Sequence, residues 1–207
     1  MGGRRRLGRD ELLRFHGATV DDLLPQRTLR LLFVGINPGL WTAAVGAHFA
    51  RPGNRFWPAL WHAGITPWLV DASDGMHPDD LELLDRLGIG ITNVVATASA
   101  RADELSRAEL VAGGERLVAL VTERRPAVVA VLGLTAYRTA FGRPRAVAGR
   151  QPERLGPSEL WVLPNPSGLN AHEQVDSLAA AYGEAARAAG LSGLPGQPGL
   201  PGIELGR

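Results

Sequence analysis

The sequence of 207 residues contains no cysteine and no lysine. The absence of cysteine excludes disulfides, thiolate zinc sites, iron–sulfur clusters and a cysteine nucleophile. Because lysine is absent, all 22 basic side chains are arginine, so no side chain can form a Schiff base and no Walker A phosphate loop is present. Covalent catalysis by a thiol or by a side-chain amine is therefore closed to this chain.

Charge and hydropathy set further limits. The formal net charge is +1, so overall charge does not indicate a nucleic-acid binder. Arginine clusters occur at 4–9 and at 142–154, and we predict that the second cluster lies in one loop. No apolar run reaches the roughly 18 residues of a membrane span, and the basic N-terminus lacks the apolar stretch of a secretory signal. We expect a cytoplasmic protein with no membrane partner.

Four short, continuous apolar runs are typical of parallel strands that are buried on both faces. The runs are 29–34, 88–95, 127–133 and 160–164. Helical patterns alternate with them at 54–64, 78–88, 106–126 and 170–190. The predicted helix caps are Asn54, the pair Ser106 and Glu109, and the pair Asn170 and Glu173.

This alternation predicts an α/β fold, a three-layer α/β/α sandwich with a mainly parallel central sheet of about four strands. We expect one domain at 10–190. It lies between a flexible N-terminus at 1–9 and a disordered, Gly/Pro-rich tail at 191–207.

Polar residues follow the predicted strands at their carboxyl ends, where parallel sheets bind ligands. They are Asn37, Thr92, Asn93, Gly133, Thr135, Asn165, Ser167 and Gly168. No carboxylate or histidine directly follows a strand, which disfavours a Ser-His-Asp triad or a catalytic metal. The pattern favours an uncharged pocket that binds a heterocyclic base through amides and backbone groups. Asn-Pro sequences are also ordinary turn formers, so a purely structural role stays open.

Metal and cofactor sites are not expected. The five histidines show no metal-ligand spacing and have no cysteine partner. The sequence RLGIGIT at 86–92 is a poor match to a dinucleotide-binding fingerprint.

Five motifs occur in a specific order along the chain. They are GINPGL at 35–40, HFARPGNRFWPAL at 48–60, GIGITNVV at 88–95, LVAGGERLV at 110–118 and WVLPNPSGLN at 161–170. Each motif is weak alone, but the ordered set resembles the mismatch-specific uracil/thymine DNA glycosylase family, within the uracil-DNA glycosylase superfamily.

The resemblance implies that Asn37 is the catalytic residue, whose side-chain oxygen holds a water beneath C1′ of a nucleotide flipped out of the duplex. Because an amide is a poor base, the glycosidic bond would break largely by dissociation to a cationic sugar. The implied residues of the base pocket are Gly35, Ile36, Gly39, Phe49, Asn54, Asn93 and Asn165. Among these, Phe49 would stack on the flipped base.

Two pocket positions bear on specificity. Gly39 stands where strict uracil enzymes of the superfamily place a bulky tyrosine, so the resemblance implies room for thymine, etheno or alkylated bases. Asn165 stands where the stricter relatives use histidine.

The resemblance also implies a DNA-binding loop made of Ser167, Gly168, Leu169 and Asn170. Leu169 would be the wedge that fills the gap left by the flipped nucleotide. Gly168 and Asn170 would lie near the partner guanine. Bacterial relatives often carry a basic residue shortly after the wedge, whereas Ala171 follows here, which weakens the expected contacts to guanine.

The sequence therefore predicts a monofunctional DNA glycosylase that excises mispaired uracil from double-stranded DNA. The absence of lysine predicts an intact abasic strand as product, to be processed by downstream abasic-site repair enzymes. We expect a monomer. Two alternatives remain: a non-catalytic protein that binds mismatched or damaged DNA on the same fold, and a nucleoside-type hydrolase. The wedge-like SGLN sequence disfavours the second, because a free nucleoside leaves no gap to fill.

Overall fold

The computed structural model describes residues 7–168 and 173–191 of the chain. Its centre is a five-stranded sheet with the order β2-β1-β3-β5-β4. The strands are β1 (Leu31–Gly35), β2 (Ile89–Asn93), β3 (Val128–Leu132), β4 (Gly149–Leu155) and β5 (Ser158–Leu163). Four strands run parallel, and only β4 pairs antiparallel, with β5. The predicted α/β class and mainly parallel sheet are confirmed.

Seven α-helices and one short 3₁₀ turn at Ala102–Glu104 accompany the sheet in the described ranges. The helices are α1 (Arg9–Leu13), α2 (Leu40–Val45), α3 (Phe56–His62), α4 (Pro78–Leu87), α5 (Arg107–Arg124), α6 (Leu134–Ala140) and α7 (Val175–Ala188). In this part of the chain, no helix combines the length and the apolar character needed to cross a membrane.

Each face of the sheet carries its own apolar core. On β1, Leu31 and Phe33 join one cluster with residues of α3, α4 and α7. Leu32 and Val34 point to the opposite face and join a second cluster with residues of α5 and α6. All five residues of β1 are buried, because both faces of the strand are covered by helices. This two-sided burial explains why the strand reads as a continuous apolar run.

The helix ends agree only in part with the predicted caps. The capping box of Ser106 and Glu109 is present at the start of α5. By contrast, α3 begins at Phe56, and the Asn54 Oδ1 accepts the Phe56 N–H at 2.9 Å, two residues beyond the predicted start. The predicted start of α7 is wrong: the helix begins at Val175 and is capped by Gln174 and Ser177. Asn170 lies outside the described residues.

The segment at 142–154 is not one loop, because its second half forms β4. The strand lies at the edge of the sheet, where one side needs no strand partner, so Arg150 and Arg154 reach solvent. The pairing with β5 shifts between these two arginines, and Pro152 lies in the shifted part, where proline is tolerated. These features hide the strand from a reading based on apolar runs.

A close approach of helix α5 braces the sheet near the end of β2. Gly113 lies against the backbone of Val94, and a Cβ at this position would come within 2.8 Å of the Val94 carbonyl carbon. The close approach brings Arg116, one turn later on α5, to the Asn93 backbone carbonyl, to which its guanidinium donates. Helix α5 therefore supports the strand end that carries Asn93.

Candidate active site

The carboxyl ends of the central strands meet at one edge of the sheet. Gly35 at the end of β1 is in register with Asn93 at the end of β2, and Val34 is in register with Val131 on β3. This topology brings the segments that follow β1, β2 and β3 together. The sequence-based expectation that polar residues after these strands lie near one another follows directly from the parallel register.

Asn37 lies two residues after β1, and its carboxamide has a defined orientation. Its Nδ2 donates to Ser99 Oγ at 2.9 Å, to the Pro38 carbonyl at 3.0 Å and to the Thr97 carbonyl at 3.3 Å. Carbonyl oxygens can only accept, so the amide nitrogen must occupy this side. Among the described residues no donor contacts Oδ1, which leaves this oxygen available to a water or a ligand.

Ser99, which accepts from Asn37, is itself held by a second hydrogen bond. Its hydroxyl donates to the Arg101 carbonyl at 2.7 Å, so the oxygen is left to accept from Asn37. Ser99 is buried, and its segment is tied to the Asn37 turn because the Ser99 N–H donates to the Pro38 carbonyl. Sequence reasoning did not single out Ser99. The only signal was a small hydroxyl residue in the segment after the Thr-Asn end of β2.

A second group of side chains meets over Gly35. A Cβ on Gly35 would collide with Asn93 Oδ1 and would lie 3.3 Å from Phe49 Cζ. The Phe49 ring stacks on Phe56, with centroids 4.0 Å apart and planes 24° from parallel. Glycine at position 35 is therefore what allows the Asn93 amide and the Phe49 ring to converge.

Phe49 has a backbone φ of +55°, a left-handed conformation that costs free energy for a bulky residue. Such conformations persist only where the surroundings impose them, and they concentrate at functional sites. Here the stack on Phe56 holds the ring. Phe56 itself is fully buried in the core. The Phe49 ring is thus presented on a rigid base.

His48, which sequence reasoning missed, is buried behind this group. Its Nε2 lies 3.0 Å from the Asp21 carbonyl, and its Nδ1 lies 3.5 Å from Asn93 Nδ2. Burial lowers the pKa of His48 below its ordinary value, and the nearby Asp22 carboxylate opposes this effect only in part. The imidazole is therefore neutral near neutral pH. Adjacency to Phe49 in the sequence was the only signal for it.

A hydrogen bond and an ion pair also support the end of β2. Asp22 accepts from the Thr92 hydroxyl at 2.5 Å and pairs with Arg116 at 3.5 Å. Because Arg116 also donates to the Asn93 carbonyl, the N-terminal segment and α5 both hold this strand end.

The end of β3 and the loop after β5 contribute a third group. A Cβ on Gly133 would come within 2.9 Å of the Ile36 side chain and 3.9 Å of Asn165 Nδ2. Asn165 Oδ1 accepts the Ser167 N–H at 2.9 Å, so its nitrogen is the end that faces Gly133 and Ile36. The structure therefore brings Ile36 and Asn165 together.

The loop at 165–168 is anchored to the segment before α3. The Arg55 N–H donates to the Pro166 carbonyl at 2.9 Å, and its Nη1 donates to the Ser167 carbonyl at 3.1 Å. Gly168 packs so closely on Gly53 that a Cβ would lie 2.7 Å from the Gly53 carbonyl oxygen. Sequence reasoning did not identify Arg55 or Gly53 as supports of this loop. The predicted contacts of Leu169 and Asn170 lie outside the described residues.

Two predicted pocket residues differ from the rest. Gly39 is exposed at the N-terminus of α2, with an ordinary φ of −75°, and a Cβ there would meet no atom within 4 Å. Asn54 uses its Oδ1 to hold the start of α3, and it borders a cavity of about 270 Å³ with Phe49 and Trp57. Gly39 therefore leaves open space, and Asn54 has a local structural role.

Within residues 7–168 and 173–191, no group of three or more histidine, aspartate or glutamate side chains is arranged to hold a metal ion. The groups that do converge are amides, a hydroxyl, a neutral imidazole and an aromatic ring. Together they can orient a water at Asn37 Oδ1 and bind a flat, uncharged heterocycle over Phe49.

A comparison with family models matches residues 22–186 to the model described as Uracil DNA glycosylase superfamily. The match includes β1, the Asn37 turn, His48 and Phe49, Ser99 and the loop after β5.

Proposed function

The chain belongs to the uracil DNA glycosylase superfamily, and on that premise we propose that it is a monofunctional glycosylase directed at mispaired uracil. Members of this superfamily are N-glycosylases that act on DNA, hydrolysing the bond between a base and its sugar. The proposed preferred substrate is uracil opposite guanine in double-stranded DNA, and the proposed product is an intact abasic strand.

The orientation of the Asn37 amide carries this proposal. With Nδ2 held by Ser99 Oγ and two carbonyls, Oδ1 faces away from its supports and can accept a hydrogen bond from a water. An amide oxygen orients a water but does not readily take its proton at neutral pH. The reaction we propose therefore depends on departure of the base, after which the positioned water attacks C1′ of the cationic sugar.

The pocket residues suit a flipped pyrimidine. Phe49 offers a ring face for stacking, and Asn93 offers an amide at the edge of the same space above Gly35. Stacking on an aromatic ring is worth about 1–3 kcal/mol per base, and it offsets part of the cost of unstacking the nucleotide.

Tolerance of larger bases is proposed from Gly39. A Cβ at this position would meet no atom within 4 Å, so residue 39 itself adds no wall to the proposed pocket. We expect thymine or etheno bases opposite guanine to be cleaved, more slowly than uracil.

Gly39→Tyr adds a ring at a position with an ordinary φ. It should lower cleavage of thymine more than that of uracil, and Gly39→Ala should leave the ratio unchanged. An equal loss on both substrates would contradict the assignment of Gly39.

The loop at 165–168 supports a proposed wedge at Leu169. Arg55 and Gly53 hold this loop, which directly precedes Leu169 in the sequence. Leu169→Ala should reduce productive flipping and affinity for an abasic duplex. If this substitution changes neither the cleavage rate nor product affinity, Leu169 is not the wedge.

The deciding assay uses a duplex with a single G·U pair, incubated with the protein and then heated with alkali to break abasic strands. Duplexes with A·U and G·T pairs and single-stranded uracil are run in parallel. We expect strand breaks at G·U only after alkali. Breaks before alkali would contradict the monofunctional mechanism, and tight binding without breaks would indicate a non-catalytic protein. Full activity of Asn37→Ala would contradict the role of Asn37.

A further inference from the structure

His48 is held in one tautomer by its surroundings. The Asp21 carbonyl beside Nε2 can only accept, so Nε2 must carry the proton. In a neutral imidazole the other nitrogen, Nδ1, is then an acceptor. His48 is buried, so water does not compete with these partners for the ring nitrogens.

The tautomer of His48 determines how the Asn93 amide points. An acceptor at Nδ1 selects the amino end of the amide, and Asn93 Nδ2 is the atom that lies 3.5 Å away. At 3.5 Å this contact is weak. It matters because it shows which end of the Asn93 amide faces Nδ1. With Nδ2 facing the imidazole, Oδ1 lies on the other side, above Gly35 and next to the Phe49 ring. The pocket therefore presents an acceptor at this point.

We propose that His48 is a positioning residue that fixes Asn93 with its amide oxygen toward the pocket. This inference rests on the proposed function and adds to it a residue that sets the orientation of a pocket amide without touching the substrate.

Protonation of His48 reverses the arrangement. Both ring nitrogens then donate, so Nδ1–H opposes Asn93 Nδ2 and favours the amide turned over, with its oxygen on the imidazole. The charged groups that act here are Asp22, which stabilises the cation, and Arg116, which pairs with Asp22 and donates to the Asn93 carbonyl. Because burial lowers the His48 pKa below the ordinary 6.5, the reversal occurs at a pH below 6.5.

The first test is independent of catalysis. Nitrogen-15 NMR of uniformly labelled protein identifies which ring nitrogen of His48 carries the proton, with His48→Gln used to assign the signals. We expect Nε2–H with unprotonated Nδ1 near neutral pH, and Asn93 side-chain amide signals that shift with the same midpoint as His48. An Nδ1–H tautomer, or Asn93 signals that stay fixed while His48 titrates, would overturn the proposal.

The second test follows the single-turnover rate on G·U duplex as a function of pH. His48→Gln keeps a donor for the Asp21 carbonyl and an acceptor for Asn93 but cannot titrate, whereas His48→Leu lacks both groups. We expect His48→Leu to lose about 10-fold in rate near neutral pH, the scale of one lost polar contact. The original protein should lose rate as His48 becomes protonated in acid. His48→Gln should restore most of the rate near neutral pH and should not show this acid loss.

His62→Gln is the matched control, since His62 is half-exposed on α3 and pairs with Asp176 instead. It should leave the acid loss in place. The proposal is wrong if His48→Gln retains the acid loss, or if His62→Gln abolishes it. Failure of the original protein to release uracil at any pH would instead count against the proposed function, while the NMR result would still decide the orientation of Asn93.

Discussion

Replacing Ser99 with alanine tests whether the orientation of the Asn37 amide controls the reaction rate. The substitution removes the hydroxyl that accepts from Asn37 Nδ2 at 2.9 Å and donates to the Arg101 carbonyl at 2.7 Å. Asn37 keeps its contacts to the Pro38 and Thr97 carbonyls, so its amide should loosen without turning over.

The expected magnitude follows from these contacts. Loss of one neutral hydrogen bond corresponds to about 1 kcal/mol, or roughly a 5-fold slower rate. The Arg101 carbonyl keeps the Glu104 N–H as a donor at 3.3 Å, so no unpaired acceptor should add to this loss. Removal of the amide itself in Asn37→Ala should cost about 10²–10³-fold, similar to the loss of other preorganised polar groups in active sites. Ser99→Thr keeps a hydroxyl and should lie close to the original rate.

The assay is the single-turnover rate of uracil release from a G·U duplex, measured for both single substitutions and for the double substitution. If Ser99 acts only through Asn37, then Ser99→Ala should have no further effect once Asn37 is alanine, and the coupling should be about 1 kcal/mol or more. If Ser99→Ala slows the original protein and the Asn37→Ala variant equally, Ser99 does not act through Asn37.

A matched control separates rate from stability. Ser158 is fully buried at the start of β5, and its hydroxyl donates to the Pro126 carbonyl at 2.6 Å. Ser158→Ala removes a similar hydrogen bond at the opposite end of the sheet. It should lower the free energy of unfolding by about 1 kcal/mol and leave uracil release unchanged. A comparable slowing in Ser158→Ala would show that the effect of Ser99→Ala arises from general destabilisation.

Two further predictions concern Gly35 and Tyr137. Gly35→Ala places a methyl group against Asn93 Oδ1. We expect the free energy of unfolding, measured by chemical denaturation, to fall by about 1–3 kcal/mol, and uracil release to fall strongly. Unchanged activity would contradict the convergence of Asn93 and Phe49 over Gly35. Burial and the hydrogen bond to Glu153 raise the pKa of Tyr137 from 10.0 to about 12, so this group stabilises the fold below pH 10.0 and loses that contribution as pH rises toward about 12. Denaturation across this alkaline range should show a weaker pH dependence in Tyr137→Phe, and an identical dependence would contradict the shift.

The central strands could be predicted because their burial is encoded in their own residues. A strand covered on both faces needs apolar side chains at every position, and Leu31–Gly35 has them. Strand β4 could not be found this way. It lies at the sheet edge, its exposed positions carry arginine, and the shift around Pro152 interrupts its alternation.

The same contrast applies to the candidate site. The convergence of the ends of β1 and β2 could be predicted, because parallel register places Gly35 beside Asn93. His48, Ser99 and Arg55 reach the site from connecting segments, and each depends on a partner that is distant in the sequence. These partners are the Asp21 carbonyl, the Asn37 amide and the Pro166 carbonyl, respectively. A local sequence pattern does not encode such contacts.

Arg55 joins two parts of the candidate site. It precedes Phe56, on which the Phe49 ring rests, and it also holds the carbonyls of Pro166 and Ser167. A displacement of the loop at 165–168 would therefore be transmitted through one residue to the aromatic stack. In a protein that works as proposed, contact of this loop with a duplex and stacking of an extruded base on Phe49 would be mechanically linked.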